Sequence, residues 1–302
     1  METITHPHSM WQFSPSLAAS IVFLMLFFLT TVAHLIQAQL YRKWYCLVIV
    51  MSGILQTGTY AFRTASIQNP ESYNLYAAWF VLILVAPLLT NAFVYMVFGR
   101  IVWNFSENRK LCGIRAQHFS LLFVFLDVVA FIVQVLGAAK AVTKDASQDV
   151  MYQGLHIYMG GVGIQLLFIL VFSFLGSILF YFARKAGLQT DRKDHFRVCL
   201  TMLWVQGACL FLIALRIVFR LCEYSQGLDS TIPLHETYQY CLDSLPMFLA
   251  LLLLNFMHPD RIMCSYPTRI PSTSKSFHVK PSASPRHETW SAPATSHELD
   301  LY

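Results

Sequence analysis

Charged side chains are scarce in this chain of 302 residues, where only 12% of the positions are Asp, Glu, Lys or Arg. Soluble globular domains carry about 25% charged residues. By contrast, 56% of the residues are hydrophobic and 15% are aromatic. This composition argues against a soluble enzyme, a disordered chain and a secreted disulfide scaffold. The net charge of +5 is too small to indicate a nucleic-acid partner.

Several patterns that mark catalysis or cofactor binding are also missing. The seven cysteines are scattered without a CxxC or Cys/His spacing, and the histidines cannot readily meet around one ion, so we expect no metal and no cofactor. No G-x-x-x-x-G-K-[ST] occurs, which excludes ATP as a direct energy source. No lysine lies within a long apolar segment, which excludes a retinal Schiff base. We therefore expect a membrane protein that is not an enzyme.

Long apolar segments are what the chain has in abundance. A transmembrane helix needs about 20 mostly apolar residues, and seven segments meet this requirement without the alternation of barrel strands. They are Leu17–Leu40, Trp44–Arg63, Leu75–Phe98, Phe119–Ala139, His156–Phe182, Val198–Leu221 and Tyr238–Met257. The sequence therefore predicts an all-α, polytopic bundle of seven transmembrane helices within residues 17–262.

The basic residues predict how this bundle is oriented. Sixteen of the 21 Lys and Arg residues fall on one side of the predicted spans, whereas only Lys140 and Lys144 fall on the other. Because cytoplasmic loops carry an excess of Lys and Arg, the N-terminus is predicted to lie outside and the C-terminus in the cytosol. Residues 1–16 are then an extracellular segment. Residues 263–302, rich in Ser, Pro and Thr, are predicted to form a disordered cytosolic tail.

Ionisable side chains near the lipid are costly and are therefore candidate functional residues. Arg216, Arg220 and Glu223 have the spacing i, i+4, i+7, which places them on one face of the sixth helix. Glu236 and Asp243 are seven residues apart on the seventh helix, which we expect to pack antiparallel to the sixth. Two interpretations remain open: an ion-pair clamp between the helices, or a polar cavity that accepts an amine or a lipid headgroup.

The fourth predicted helix carries Asp127 near mid-membrane and Gln134 two turns later on the same face. These residues either join helices by hydrogen bonds or form a proton or substrate site. The partner of Asp127 is left open among one arginine and three amides: Arg63, Gln56, Asn91 and Gln165.

The segment Arg216-Ile-Val-Phe-Arg220-Leu-Cys-Glu223-Tyr-Ser-Gln-Gly227 resembles the most recognisable block of the fungal RTA-like family, the aminocholesterol-resistance and lipid-translocating exporter proteins. Motifs on the other helices occur in the family's order. They include Ala86-Pro87, Asp127, Gln134, Gly160-Gly161, His235-Glu236, Asp243, Pro246-Met247 and His258-Pro259.

The resemblance implies a multi-pass protein of the fungal plasma membrane, or of another fungal endomembrane, that moves or exports amphipathic lipids and confers resistance to them. The implied partners are membrane lipids or amphipathic small molecules, such as sphingoid long-chain bases and sterol-like toxicants, and no nucleic acid. The alternative is a seven-helix sensor of lipid asymmetry or toxicants that signals through its cytosolic loops and tail. The expected substrate-binding or translocation residues are Arg216, Arg220, Glu223, Glu236, Asp243, Asp127, Gln134 and Arg63.

Overall fold

The computed structural model describes residues 10–11, 13–106, 109–141, 147–189, 193–225 and 235–263. Most of the predicted extracellular segment and all of the predicted tail after residue 263 lie outside the described residues. Within them, seven helical spans are long and apolar enough to cross a membrane. The prediction of an all-α bundle with seven spans is therefore confirmed.

Six of the spans are single helices and the seventh consists of several pieces. The single helices are α1 (Leu17–Tyr41), α2 (Cys46–Gln68), α3 (Tyr73–Phe105), α4 (Ala116–Ala141), α5 (Gln148–Gln189) and α6 (Lys193–Ser225). Strands β1 (Lys110–Leu111) and β2 (Ile114–Arg115) form an antiparallel hairpin between α3 and α4. The seventh span comprises α7 (Glu236–Gln239), a π-helical turn (Tyr240–Ser244), α8 (Leu245–Phe256) and α9 (Pro259–Ile262).

Several helices are longer than the apolar segments that predicted them. Helix α3 has 33 residues and α5 has 42, which at about 1.5 Å per residue is roughly 50 and 60 Å. The hydrocarbon core of a bilayer is only about 30 Å thick. The third span was predicted to end at Phe98, yet α3 continues to Phe105, because hydropathy reports only the part of a helix that lies in lipid.

Large apolar side chains cover much of the outer surface of the bundle. Trp204 and Leu121 are both 70% exposed and Phe211 is 67% exposed. Such a surface suits hydrocarbon and would promote aggregation in water. Helix α3 is the most central, with 61% of its most apolar stretch buried, against 22–28% for α1, α4 and α5. Each span packs on the next, the seventh also packs on α1, and α3 contacts α6.

The bundle has two ends. Helices α1, α3, α5 and α7 begin at one of them, where α2, α4 and α6 end; we call this the N-terminal end. The opposite end holds the β-hairpin, the start of α2 and the last turn of the seventh span. At the N-terminal end the Ser16 side chain caps α1 by accepting a hydrogen bond from the Ala19 N–H.

The backbones of α4 and α5 approach so closely that glycine is required at their contact. A Cβ atom at Gly137 would lie 2.3 Å from the Tyr158 nitrogen, and one at Gly154 would lie 2.4 Å from the Ala141 nitrogen. A Cβ atom at Gly161 would lie 2.9 Å from the Ala130 carbonyl oxygen. Small residues commonly allow such contact between transmembrane helices.

The substitution Gly161→Ala is expected to destabilise the bundle because its methyl group would push α5 away from the α4 backbone. The neighbouring Gly160→Ala is the matched control, since nothing lies within 4 Å of a Cβ atom there and alanine favours a helix by about 1 kcal/mol. Thermal unfolding of the purified protein in detergent measures both. Equal melting temperatures for the two variants would contradict the close contact.

Candidate functional site

Four buried charges form an ion-pair network between α6 and the π-helical turn of the seventh span. Arg220 donates from Nε and Nη2 to both carboxylate oxygens of Asp243, at 3.1 and 2.7 Å. Arg216 Nε lies 2.8 Å from Asp243 Oδ1, and Arg220 Nη1 donates to Glu223 at 3.0 Å. These side chains are 1–6% exposed. The spacing on α6 thus correctly predicted a shared face, and the geometry is that of an interhelical clamp.

Arg216 also bonds to the backbone of α3 next to a proline. Pro87 lies inside this helix and has no N–H, so the carbonyl oxygen of Ile83, four residues earlier, lacks its usual donor. Arg216 Nη2 donates to that oxygen at 2.8 Å. The helix continues through Pro87, and the arginine supplies the hydrogen bond that the proline cannot.

The π-helical turn places Asp243 opposite these arginines. The Leu245 N–H bonds to the Tyr240 carbonyl, five residues earlier, and Pro246 follows immediately. Because proline provides no N–H and its ring clashes with the preceding turn, the widened turn fits the sequence at this point. The Tyr60 hydroxyl of α2 donates to Ser244, and Ser244 donates to the Gln239 carbonyl at 3.2 Å. This turn is therefore held from α2 as well as from α6.

Glu236 was expected to face the α6 arginines together with Asp243, but the structure pairs it with Arg63 on α2. Arg63 Nη2 donates to Glu236 at 3.0 Å, Nη1 to Gln239 at 2.9 Å and Nε to the Tyr240 hydroxyl at 3.0 Å. The second Glu236 oxygen accepts the Ser16 N–H at 2.7 Å. The π-helical turn lies between Glu236 and Asp243 and changes the helical register that the prediction assumed.

Aromatic rings enclose the Arg63 guanidinium. Its central carbon lies 4.9 Å from the ring centroids of Trp11, Trp79 and Tyr240, distances at which cation–π attraction is effective. Arg63 is only 1% exposed. Sequence spacing gave no signal for this arrangement, because its members come from the N-terminal segment, α2, α3 and the seventh span.

Asp127 and Gln134 lie apart from both ion-pair groups. Asp127 Oδ2 accepts hydrogen bonds from Asn91 Nδ2 at 3.1 Å and from the Tyr95 hydroxyl at 3.0 Å. Of the four candidate partners, Asn91 is therefore the one observed. Gln134 Nε2 donates to Gln165 Oε1 at 3.0 Å and so joins α4 to α5.

An apolar groove of about 350 Å³ opens between α3, α4 and α5 in the half of the bundle near the N-terminal end. Its walls include Phe80, Leu84 and Phe131. Tyr76 and Tyr158 line it as well. The charges that act on the Tyr76 hydroxyl are those of Arg63 and Glu223, and those that act on the Tyr158 hydroxyl include Arg220 and Glu223. The groove therefore adjoins both groups of buried ion pairs.

A separate polar cluster lies at the opposite end, where Cys46, His258 and Asp260 are buried together. They are the one trio of His, Cys, Asp or Glu side chains within the described residues whose ligand atoms are near enough to hold a metal ion.

The seven apolar helices around buried polar groups define a multi-pass integral membrane protein. Residues 49–265 match the family model described as RTA1 like protein, and the chain belongs to this RTA1-like family. The probable lipid transporter atnI of Emericella nidulans is 35% identical over 273 residues, which cover 87% of this chain and 70% of that relative.

Two yeast proteins extend the comparison. Protein RTA1 of Saccharomyces cerevisiae is 29% identical over 81% of this chain and 83% of its own length. The sphingoid long-chain base transporter RSB1 of Saccharomyces cerevisiae strain YJM789 is 24% identical over 90% of this chain and 78% of its own. No solved structure matches the chain.

The substitution Asp243→Asn is expected to destabilise the fold by about 3–5 kcal/mol, because it leaves the buried network with an excess of positive charge. Asp127→Asn is the matched control: Asp127 is 2% and Asp243 1% exposed, but the Asp127 donors are neutral, so asparagine still accepts their hydrogen bonds and the cost is about 1 kcal/mol. Thermal unfolding in detergent compares them. A larger loss for Asp127→Asn would contradict the assignment of the network as the main clamp.

Proposed function

We propose that this protein moves amphipathic lipids bearing a cationic headgroup, with sphingoid long-chain bases as the substrate class, between the leaflets of a fungal membrane, and so confers resistance to them. The observation that carries the proposal is the apolar groove beside the buried ion-pair network. Such a site offers hydrocarbon contact to a tail and charge to a headgroup. The name of one relative, a probable lipid transporter, supports lipid movement, and that of another, a sphingoid long-chain base transporter, supports the substrate class.

The groove fits the tail of such a lipid. Its volume of about 350 Å³ lies within the roughly 300–1,000 Å³ typical of small-molecule sites. Its lining is mostly apolar, so a hydrocarbon chain can enter directly from the bilayer. Tyr76 and Tyr158 form the wall of the groove that faces the network. We expect the boundary between the lipid tail and its headgroup to lie at these two side chains.

Glu223 is the carboxylate that we assign to the lipid amine. Asp243 engages two arginines through both oxygens, whereas the network gives Glu223 only Arg220 as an ion-pair partner. An ammonium group that reaches Glu223 past Tyr76 and Tyr158 would therefore disturb one ion pair rather than the whole clamp. Arg216, Arg220 and Asp243 then maintain the site, and Arg63 with Glu236 closes the adjacent edge. Asp127 and Gln134 belong to the same translocation path and lie deeper in the bundle.

We further propose that the N-terminal end faces the outside of the cell, in the plasma membrane, with residues 263–302 as a cytosolic tail. The excess of Lys and Arg on the opposite side supports this orientation. The groove then opens to the outer leaflet, which is where a lipid destined for export is delivered.

Filling the groove is expected to stop transport. Ala138→Phe places a ring among the groove residues of α4 and should reduce the transbilayer movement of a fluorescent sphingoid base to the rate of protein-free liposomes. Ala214→Phe is the control, because Ala214 lines a second apolar groove between α5 and α6. Unchanged transport in a folded Ala138→Phe protein, or an equal loss in both variants, would contradict the groove as the lipid path.

Glu223→Gln is expected to slow the transport of a positively charged lipid selectively. It should slow movement of a protonated sphingoid base by about ten- to hundredfold, since a hydrogen bond to a charged group contributes about 1.5–3 kcal/mol. Movement of the N-acetylated analogue with the same chain should change little, because this lipid has no amine charge. The same proteoliposome assay measures both lipids. An equal slowing of the two would show that Glu223 acts on the fold and not on the headgroup.

A further inference from the structure

Three potential metal ligands meet at the end of the bundle opposite the groove. Cys46 begins α2, and His258 and Asp260 lie at the start of α9. Cys46 Sγ is 3.3 Å from Asp260 Oδ2 and 3.8 Å from His258 Nε2. More than 200 residues separate Cys46 from the other two, so no sequence motif marks the cluster, and sequence reasoning predicted no metal site.

These separations match those of ligands around a tetrahedral Zn²⁺ ion. Zinc bonds of about 2.3 Å to sulfur and about 2.0–2.1 Å to nitrogen or oxygen put neighbouring ligand atoms about 3.5 Å apart. All three ligand atoms lie within 4.8 Å of one another. An ion can therefore bind with small side-chain movements and without a shift of either helix.

The carboxylate of Asp260 is held in place before any ion binds. Asp260 is only 4% exposed, and its Oδ2 atom accepts a hydrogen bond from the Cys46 thiol. The Tyr45 hydroxyl and the Arg100 guanidinium interact with the same carboxylate. The oxygen nearest to Cys46 is therefore positioned as a ligand.

The surroundings hold the histidine ring and balance the charge. Tyr41 stacks on His258 with ring centroids 4.8 Å apart. Arg100 lies over the Tyr45 ring, 3.6 Å from its centroid. Two anionic ligands, the Cys46 thiolate and the Asp260 carboxylate, neutralise a divalent ion, so the arginine does not face a positively charged site.

We propose that Cys46, His258 and Asp260 bind one Zn²⁺ ion that ties the start of α2 to the end of the seventh span and leaves a fourth position for water. Binding releases the thiol proton of Cys46 to solvent, because the thiolate is the ligand. Coordination through His258 Nε2 puts the ring proton on Nδ1 and gives up the 3.3 Å hydrogen bond that Nδ1 accepts from the Asp260 N–H. The Cys46 thiol also gives up its hydrogen bond to Asp260 and its contact with His258, so these long hydrogen bonds are exchanged for three coordination bonds.

The test uses the full chain without a polyhistidine tag, purified in detergent, stripped with a chelator and titrated with Co²⁺ as a spectroscopic probe and then with Zn²⁺. We expect one ion per chain, a thiolate-to-cobalt charge-transfer absorption that Zn²⁺ removes, and a higher unfolding temperature with the ion. Absence of this absorption in the unaltered protein would overturn the proposal.

Cys46→Ser identifies the ligand, because serine retains a hydrogen bond to Asp260 but provides no thiolate. It should abolish the charge-transfer absorption and weaken Zn²⁺ binding by at least about tenfold. Cys199→Ser is the control, since both cysteines are 0% exposed and Cys199 is not a member of the trio. Equal binding by the two variants would overturn the assignment. If Cys46→Ser does not fold, Asp260→Asn takes its place, with weakened Zn²⁺ binding expected and unchanged binding again contradicting the site.

Discussion

One guanidinium group joins the two irregular helices of this bundle. Arg216 contacts Asp243 on the π-helical turn and the Ile83 carbonyl oxygen that Pro87 leaves without a helical donor. In hydrocarbon an unpaired carbonyl would be strongly unfavourable, so the turn of α3 that contains Pro87 depends on this arginine. Asp243 balances the charge of Arg216 and is shared with Arg220. Three spans, α3, α6 and the seventh, are therefore joined at one group of buried charges.

In the proposed function, the network also determines what the groove can bind. Without it, the space between α3, α4 and α5 would be one more apolar surface in contact with lipid. Because buried charges act on Tyr76 and Tyr158, the groove has a charged boundary at one end and remains apolar along its length. With Glu223 as the proposed partner of the headgroup, this combination would favour a cation on a hydrocarbon chain. It links the membership of the RTA1-like family to a specific place in the fold.

Properties carried by one segment were predictable, and properties shared between distant segments were not. The seven spans follow from hydropathy, and the shared face of Arg216, Arg220 and Glu223 follows from helical spacing. The partner of Glu236 could not be predicted from helical spacing, because a π-helical turn changes the register of the seventh span. Pro246 is the one sequence signal for that distortion. The Cys46 cluster was missed because more than 200 residues separate Cys46 from His258 and Asp260. No spacing rule connects residues that are so far apart in the sequence.

The most direct test of the lipid path is photo-crosslinking with a sphingoid base that carries a diazirine on its hydrocarbon chain. After irradiation of the protein in liposomes, mass spectrometry locates the labelled residues. The account predicts labels on groove residues such as Phe80 and Phe131, and their loss when unlabelled sphingoid base is added in excess. Labels confined to the groove between α5 and α6, or spread over the lipid-facing surface without competition, would contradict it.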